Sequence, residues 1–161
     1  NLSSYVYFDY GASHFNGFTH KFRIKATGAS GNNGIAYCWG LSNVVGTLYN
    51  GANIKVTVNI GYNAGVYTLY ATGYNNTTIY ASSSHGVTVG VSYYVEVIHA
   101  AGSNVVTVNV YTDSAYSVLA FTLTLNHANN NTTWRYLYVM SSANVSIAST
   151  ISIESGDYII S

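Results

Sequence analysis

The sequence contains very little charge. Charged residues make up 6% of its 161 residues, and five Lys and Arg balance five Asp and Glu, whereas a typical globular domain has about 25% charged residues. Nucleic-acid binding requires clustered Lys or Arg to neutralise phosphates, and the alternation of Lys21, Arg23 and Lys25 is too small a group for that purpose. We therefore expect no nucleic-acid partner. A near-neutral surface also produces little repulsion between copies, which favours association.

Proline is absent, and cysteine occurs once, at Cys38. A single cysteine excludes an internal disulfide, and its apolar context, IAYCWGL, predicts a small buried side chain and not a reactive thiol. Proline and charged residues are two means by which edge strands avoid pairing with other chains. A β protein that is poor in both would have weakly protected edges, which favours polymerisation.

Long apolar runs are also missing. No stretch approaches the roughly 18 apolar residues of a membrane-spanning helix, so we expect no membrane span. The chain begins at Asn1 without a segment that resembles a signal peptide, which we interpret as the start of a mature product or of an excised domain. We therefore expect a secreted protein, extracellular or at a cell surface, with a virion surface as an alternative.

Apolar and polar residues alternate with a period of two along most of the chain. In KVTVNI, for example, Val56, Val58 and Ile60 fall on one face, as in a half-buried strand. Turn-forming stretches such as GASGNNG and YNAG separate these runs. The predicted strands are 4–10, 18–26, 35–42, 53–62, 65–72, 77–82, 92–99, 104–112, 119–125, 136–142 and 147–154. The pattern predicts one all-β domain over residues 1–161, a single antiparallel β-sandwich of the jelly-roll type.

Several segments occur in a characteristic order: YVYFDYGASHFNGFTHKFRIKA at residues 5–26, then AYCWGLSNVVGTL, and finally WRYLYVMSSAN. In this order they resemble the concanavalin A-like, laminin-G-like β-sandwich domains of uncharacterised microbial and phage extracellular proteins. The resemblance extends from Tyr5 to about Glu154 and implies the concanavalin A-like fold. Related domains usually have one or two strands before the first of these segments, and here only Asn1 to Ser4 precede it.

A sandwich without a leading strand would expose an unpaired edge, which a segment of a neighbouring copy could fill by strand addition. The candidate donor is the C-terminal segment 155–161, in which Tyr158, Ile159 and Ile160 continue past the last predicted strand. Tyr5 and Tyr7 are candidate contacts near the other end of the chain. In the alternative interpretation, the C-terminal segment completes the sheet of its own chain.

The acidic residues do not have the spacing of a glycosidase. Glucanases of this fold resemble one another in a strand with Glu-x-Asp-x-x-Glu, which supplies the two catalytic carboxylates, whereas here only Glu154 and Asp157 lie within five residues of each other. His14 and His20 flank one turn without the spacing of a zinc site. We therefore expect no enzymatic activity and no cofactor, although a calcium ion bound by one Asp and backbone carbonyls is compatible with the fold.

Six N-x-Ser/Thr sequons are candidate N-glycosylation sites, at Asn1, Asn75, Asn76, Asn130, Asn131 and Asn144. Four of them fall in predicted turns, where an acceptor asparagine is accessible. In the alternative interpretation, these asparagines only form turns.

The 17 tyrosines could stack on sugar rings from an exposed sheet face, or form subunit contacts, where tyrosine is enriched. In the alternative interpretation, most of them lie half-buried with the hydroxyl in water. Two predicted strand faces contain them, Tyr67, Leu69 and Ala71 on one and Tyr136, Tyr138 and Met140 on the other. Our main hypothesis from the sequence is a non-enzymatic extracellular structural subunit that self-assembles into a surface filament, sheath or virion-type layer. Its partners would be copies of itself. The alternative is a carbohydrate-binding, lectin-like module with glycans as partners.

Overall fold

The computed structural model describes residues 5–31, 33–46, 48, 55–75, 78–127, 133–144 and 149–161. Within these residues the chain forms eleven β-strands and no helix, so none of the described segments is a helix that could cross a membrane. The strands are β1 Tyr5–Asp9, β2 Phe18–Ser30, β3 Gly34–Ser42, β4 Lys55–Asn63, β5 Val66–Asn75, β6 Thr78–Val87, β7 Ser92–His99, β8 Val105–Tyr111, β9 Leu119–Asn126, β10 Tyr136–Asn144 and β11 Thr150–Ile160. Each predicted strand is present.

The strands form two antiparallel sheets that pack face to face. The first sheet has six strands in the order β1-β10-β3-β4-β5-β6, and the second has five in the order β11-β2-β7-β8-β9. β11 packs against β3 and β10 at one side of the sandwich, and β9 packs against β5 and β6 at the other. The predicted fold class, an antiparallel β-sandwich, is confirmed.

The core lies between the two sheets, and the alternation along each strand determines which side chains enter it. Val56, Val58 and Ile60 of β4 are buried there, as predicted. Cys38 is also fully buried, and burial raises the pKa of its thiol to about 12. The thiol therefore stays protonated at neutral pH, as expected of a small apolar core residue.

The last strand extends further than the sequence pattern predicted. β11 ends at Ile160 and not at residue 154, and its final residues Ile159 and Ile160 pair with β2 of the same chain. A bulge interrupts the pairing between Gly156 and Ile159, with Asp157 in the left-handed region at φ 58°. Because a bulge adds a residue to one strand, it breaks the alternation that marked the strand in the sequence. The predicted end of this strand is therefore wrong.

The C-terminal segment thus lies in the sheet of its own chain, as in the alternative interpretation. The Tyr158 hydroxyl donates a hydrogen bond of 2.6 Å to the carbonyl of Cys38, and its ring stacks on Phe22 with a centroid distance of 5.5 Å. Donation of segment 155–161 to another copy would have to break these contacts, and such donation stays a prediction.

β1 forms one edge of the six-stranded sheet. The backbone of Tyr5 pairs with Ser141 of β10, and the ring of Tyr7 lies 5.7 Å from the rings of both Tyr136 and Tyr138. Tyr7 therefore packs against its own chain. A role for Tyr5 and Tyr7 in subunit contacts stays a prediction.

Candidate functional site

The outer face of the six-stranded sheet contains a groove of about 640 Å³. Ligand pockets in proteins typically have volumes of about 300–1,000 Å³, so the groove has a suitable size for a small ligand. Its floor is formed by β3, β4, β5 and β6, and its lining consists of Tyr, Asn, Thr, Ser, Ile, Val and Gly residues. None of these lining residues is charged.

The alternation of β5 produces the floor of this groove. Leu69 and Ala71 enter the core, so that Thr68, Tyr70 and Thr72 face outward into the groove. Since side chains on adjacent strands pair in register, outward residues of β4 and β6 continue the floor. The pairs are Asn59 with Tyr70 and Thr72 with Ser82.

The two tyrosine-bearing faces that the sequence indicated are not exposed sheet faces. Leu69 and Ala71 are buried core residues, and Tyr67 packs against the same core. Tyr138 is on the outer side, but it is buried in a cluster with Tyr37 and Leu48. Tyr67, Leu69 and Ala71 share a face as predicted, but it is the core side. The tyrosine of β5 that faces the groove, Tyr70, was missed because strand alternation alone does not show which side is the core.

Leu48 covers a part of the outer face next to the groove, where it packs with Tyr37 and Tyr138. Leu48 is buried against Gly40, where an added Cβ would lie 2.9 Å from Leu48 Cδ1. Lys55 Nζ donates a hydrogen bond of 3.0 Å to the Leu48 carbonyl and lies 4.9 Å from the centroid of the Tyr74 ring. Burial lowers the pKa of Lys55 to about 8. These contacts hold Leu48 on the outer face of the sheet.

Polar side chains on the groove floor belong to largely buried residues and have unused hydrogen-bonding capacity. Asn59 is 5% exposed, and its Nδ2 donates 3.3 Å to Thr57 Oγ1. Within the described part of the chain, the Asn59 Oδ1, the Thr72 Oγ1 and the Tyr70 hydroxyl make no hydrogen bond, although Thr72 is only 4% exposed. These atoms face the groove, where a ligand would bond to them.

A glycine positions the Tyr70 ring in the groove. A Cβ added to Gly61 would lie 2.9 Å from Cε2 of Tyr70, which is closer than real Cβ contacts come. The Tyr70 ring therefore occupies space on β4 that exists because residue 61 has no side chain. This arrangement places an aromatic ring beside Asn59, its cross-strand partner on β4.

The outer face of the five-stranded sheet differs from the groove, because its polar side chains have hydrogen-bond or ion-pair partners. Lys21 Nζ lies 3.1 Å from Glu96 Oε1, and Glu96 Oε2 accepts hydrogen bonds from Asn109 at 3.3 Å and Tyr111 at 3.0 Å. Asn109 in turn accepts a hydrogen bond of 2.9 Å from Thr122. The polar groups of this face therefore bond to one another.

The acids that are close in sequence, Glu154 and Asp157, also lie on this face and both bind Arg23, at 3.5 Å and 2.9 Å. Asp9 lies elsewhere and accepts two hydrogen bonds of 2.7 Å from Arg135. This hydrogen-bonded guanidinium lowers the pKa of Asp9 to about 2. All three carboxylates are held in ion pairs.

Comparison with known proteins shows a likeness of structure. No family model and no curated protein sequence matches the chain. It aligns over 94% of its length with 22% of the enzymatically active domain of tailspike protein 2 from bacteriophage CBA120, with a TM-score of 0.62 and 11% identity. The chain shares its fold with part of a phage tailspike. The full-length tailspike protein 2 from an Escherichia coli O157:H7 bacteriophage is also similar. The alignment covers 90% of this chain and 20% of that one, with a TM-score of 0.56 and 12% identity.

Sheep galectin-11, in complex with glycerol, is also similar, at 9% identity over 96% of this chain and 99% of that one, with a TM-score of 0.48. The sandwich spans about one fifth of the length of the tailspike chains it matches. At these identities the likeness shows the fold alone.

Four histidines from three separate parts of the sequence meet at one end of the sandwich, together with both tryptophans. This histidine cluster comprises His14, Phe15, Phe18, His20, Trp39, His99, His127 and Trp134. Trp39 Nε1 donates a hydrogen bond of 3.1 Å to Nδ1 of His20, and Nε2 of His99 lies 3.1 Å from Nε2 of His127. Burial lowers the pKa of His20 to about 4.

The cluster does not form a metal centre. Among the residues that the structure describes, no three His, Cys, Asp or Glu side chains lie close enough together to hold a metal ion. A calcium ion bound through one Asp and backbone carbonyls is a different arrangement, which stays untested.

Two of the six sequons lie within the described residues. Asn75 is the exposed last residue of β5, and Asn144 is the last residue of β10. Asn1, Asn76, Asn130 and Asn131 lie outside the described residues. Glycosylation of these asparagines stays a prediction.

Proposed function

We propose that the chain is a non-enzymatic carbohydrate-binding module and that the groove on its six-stranded sheet is the binding site. The observation that carries this proposal is the contrast between the two outer faces. The polar groups on one face bond to one another, whereas Asn59, Tyr70 and Thr72 in the groove present unused donors and acceptors. These groups reach the surface of the groove, and a hydrogen bond contributes roughly 0.5–1.5 kcal/mol net, so a ligand rich in hydroxyl groups gains affinity here.

The tyrosine ring in the groove supports the same ligand class. A sugar ring presents both an apolar face of C–H groups and a set of hydroxyl groups. An aromatic ring has a negative face that attracts C–H groups, and Tyr70 combines such a ring with a free hydroxyl. The proposal includes a location outside the cell, at a cell or virion surface, in keeping with the fold shared with a phage tailspike.

Substitution of Asn59 tests the site. We expect Asn59→Ala to weaken binding of glycans by about tenfold, or about 1.4 kcal/mol, because it removes the free amide oxygen from the groove floor. Wild-type protein is first screened on an immobilised glycan array, and the affinity of each variant for the best ligand is then measured by calorimetry.

The matched control is Asn109→Ala, which removes the same side chain from the opposite outer face and should leave glycan affinity unchanged. Circular dichroism establishes that both variants are folded. Failure of the wild-type protein to bind any glycan, or equal affinity of folded Asn59→Ala and wild type, would contradict the proposal.

Self-assembly is a second candidate function, and an exposed apolar pair favours it. Val6 and Phe8 on the edge strand β1 are 54% and 51% exposed, and an apolar edge strand is a template for pairing with another chain. We expect electron microscopy of a concentration series to show filaments or sheets, and Phe8→Lys to abolish them because a charge blocks edge pairing. Single particles of one-domain size at every concentration would refute self-assembly.

A further inference from the structure

The groove is suited to an uncharged ligand. Its lining contains no charged residue, and Lys55, which lies over the ring of the lining residue Tyr74, is fully buried and bonded to the Leu48 carbonyl. Lys21 and Arg23 are held in ion pairs on the opposite outer face. Moving a charge out of water is costly without a partner of opposite charge. An anionic or cationic group would find no such partner among the groove residues.

The groove is longer along the strands than across them. Its lining on β5 extends from Val66 to Tyr74, which is eight residue steps or about 27 Å at a rise of ~3.4 Å per residue. Across the sheet, from β3 to β6, there are three strand spacings, or about 14 Å. One sugar ring would fill a small part of this length, whereas a chain of sugars would fill it.

The middle of the groove combines the three kinds of contact that one sugar ring can use. Tyr70 lies halfway between Val66 and Tyr74, and its ring is positioned by Gly61. Asn59 is directly opposite Tyr70 on β4, and Thr72 is the next outward residue on β5. An aromatic ring, an amide oxygen and a hydroxyl are therefore neighbours at this point.

We propose that the groove binds an extended chain of uncharged sugars, which lies along β4 and β5 with one sugar ring against Tyr70. This inference rests on the proposed function and adds the charge, the shape and the orientation of the ligand. Neutral glycans in solution are the expected ligands, and acidic polysaccharides are not.

Calorimetry with two sets of soluble probes tests the charge and the length of the ligand. The neutral set contains xylo-, manno-, cello- and malto-oligosaccharides of increasing length, and the acidic set contains pectate and alginate oligosaccharides. We expect at least one neutral series to bind, with an affinity that rises with chain length until the groove is filled. Because no ion pair is formed, this affinity should be the same at low and high salt.

Each other outcome has a distinct meaning. Tighter, salt-dependent binding of the acidic set would overturn this inference and leave the carbohydrate-binding function standing. An affinity that does not increase beyond one sugar ring would overturn the extended-chain arrangement. No binding by any member of either set or of a glycan array would refute the proposed function itself.

Two glycine substitutions test the position of the sugar ring. Gly61→Ala should weaken binding of the best neutral oligosaccharide by about tenfold, or about 1.4 kcal/mol, because the added methyl group displaces the Tyr70 ring. Gly86→Ala is the matched control, since both glycines pair with Thr68 and a Cβ at Gly86 meets nothing within 4 Å. Wild-type affinity in folded Gly61→Ala and Tyr70→Ala variants would overturn the placement on Tyr70.

Discussion

The protein is expected to lose about 2 kcal/mol of folding free energy between pH 7.5 and pH 5 because of His20 alone. Burial lowers the pKa of this histidine from 6.5 to about 4, so the folded chain keeps it neutral while the unfolded chain takes up a proton. The unfolded state therefore gains stability as the pH falls below 6.5, and the loss reaches about 3 kcal/mol near pH 4 before it levels off. Urea denaturation at each pH, followed by far-ultraviolet circular dichroism, measures this loss of folding free energy.

A matched pair of variants assigns this effect to His20. His20→Gln retains a side chain that can accept the hydrogen bond from Trp39 but does not titrate, so its stability should depend much less on pH between 7.5 and 5. His85→Gln removes an exposed histidine outside the cluster, which stacks on Phe121, and should keep the wild-type pH dependence. If His20→Gln is as sensitive to acid as the wild type, His20 is not the source.

Removal of the Tyr158 side chain should destabilise the protein by about 3 kcal/mol, the scale of a large-to-small core substitution. Tyr158→Ala deletes the ring that stacks on Phe22 and the hydroxyl that bonds to the Cys38 carbonyl. Ile159→Ala on the same strand, where the side chain is 57% exposed, should cost less than about 1 kcal/mol. Thermal and urea unfolding of both variants provide the measurement.

The dependence on protein concentration distinguishes the two interpretations of the C-terminal segment. In the structure, Tyr158 contacts its own chain, so the loss in Tyr158→Ala should be equal at all protein concentrations. If the segment were donated to another copy, the stability of the wild type would rise with protein concentration, because association contributes by mass action. Such a rise, absent in Tyr158→Ala, would revive strand exchange.

The strands were predictable from the sequence because they follow a period of two. The runs around Val58 and Val108 alternate cleanly, and both are buried where expected. The end of β11 was not predictable, because the bulge at Asp157 interrupts the alternation while the pairing with β2 continues. A local pattern therefore predicts a strand but does not show where its pairing ends.

The candidate site was less predictable than the strands. Both faces of β5 contain tyrosine, with Tyr67 on the core side and Tyr70 on the groove side, and the sequence alone does not distinguish them. The position of the Tyr70 ring depends on Gly61, which is nine residues earlier and on another strand. The histidine cluster depends on the pairing of β2 with β7, which places Phe18 against His99, about 80 positions later in the sequence.

Both tryptophans of the chain, Trp39 and Trp134, belong to the histidine cluster at one end of the sandwich. Intrinsic tryptophan fluorescence of this protein is therefore a local signal, set by neighbouring imidazoles, and not an average over the fold. Acidification can change the emission by protonating a quenching neighbour while the groove remains intact. Conversely, a ligand that binds in the groove should leave tryptophan emission nearly constant, so a binding assay needs tyrosine signals or a labelled glycan.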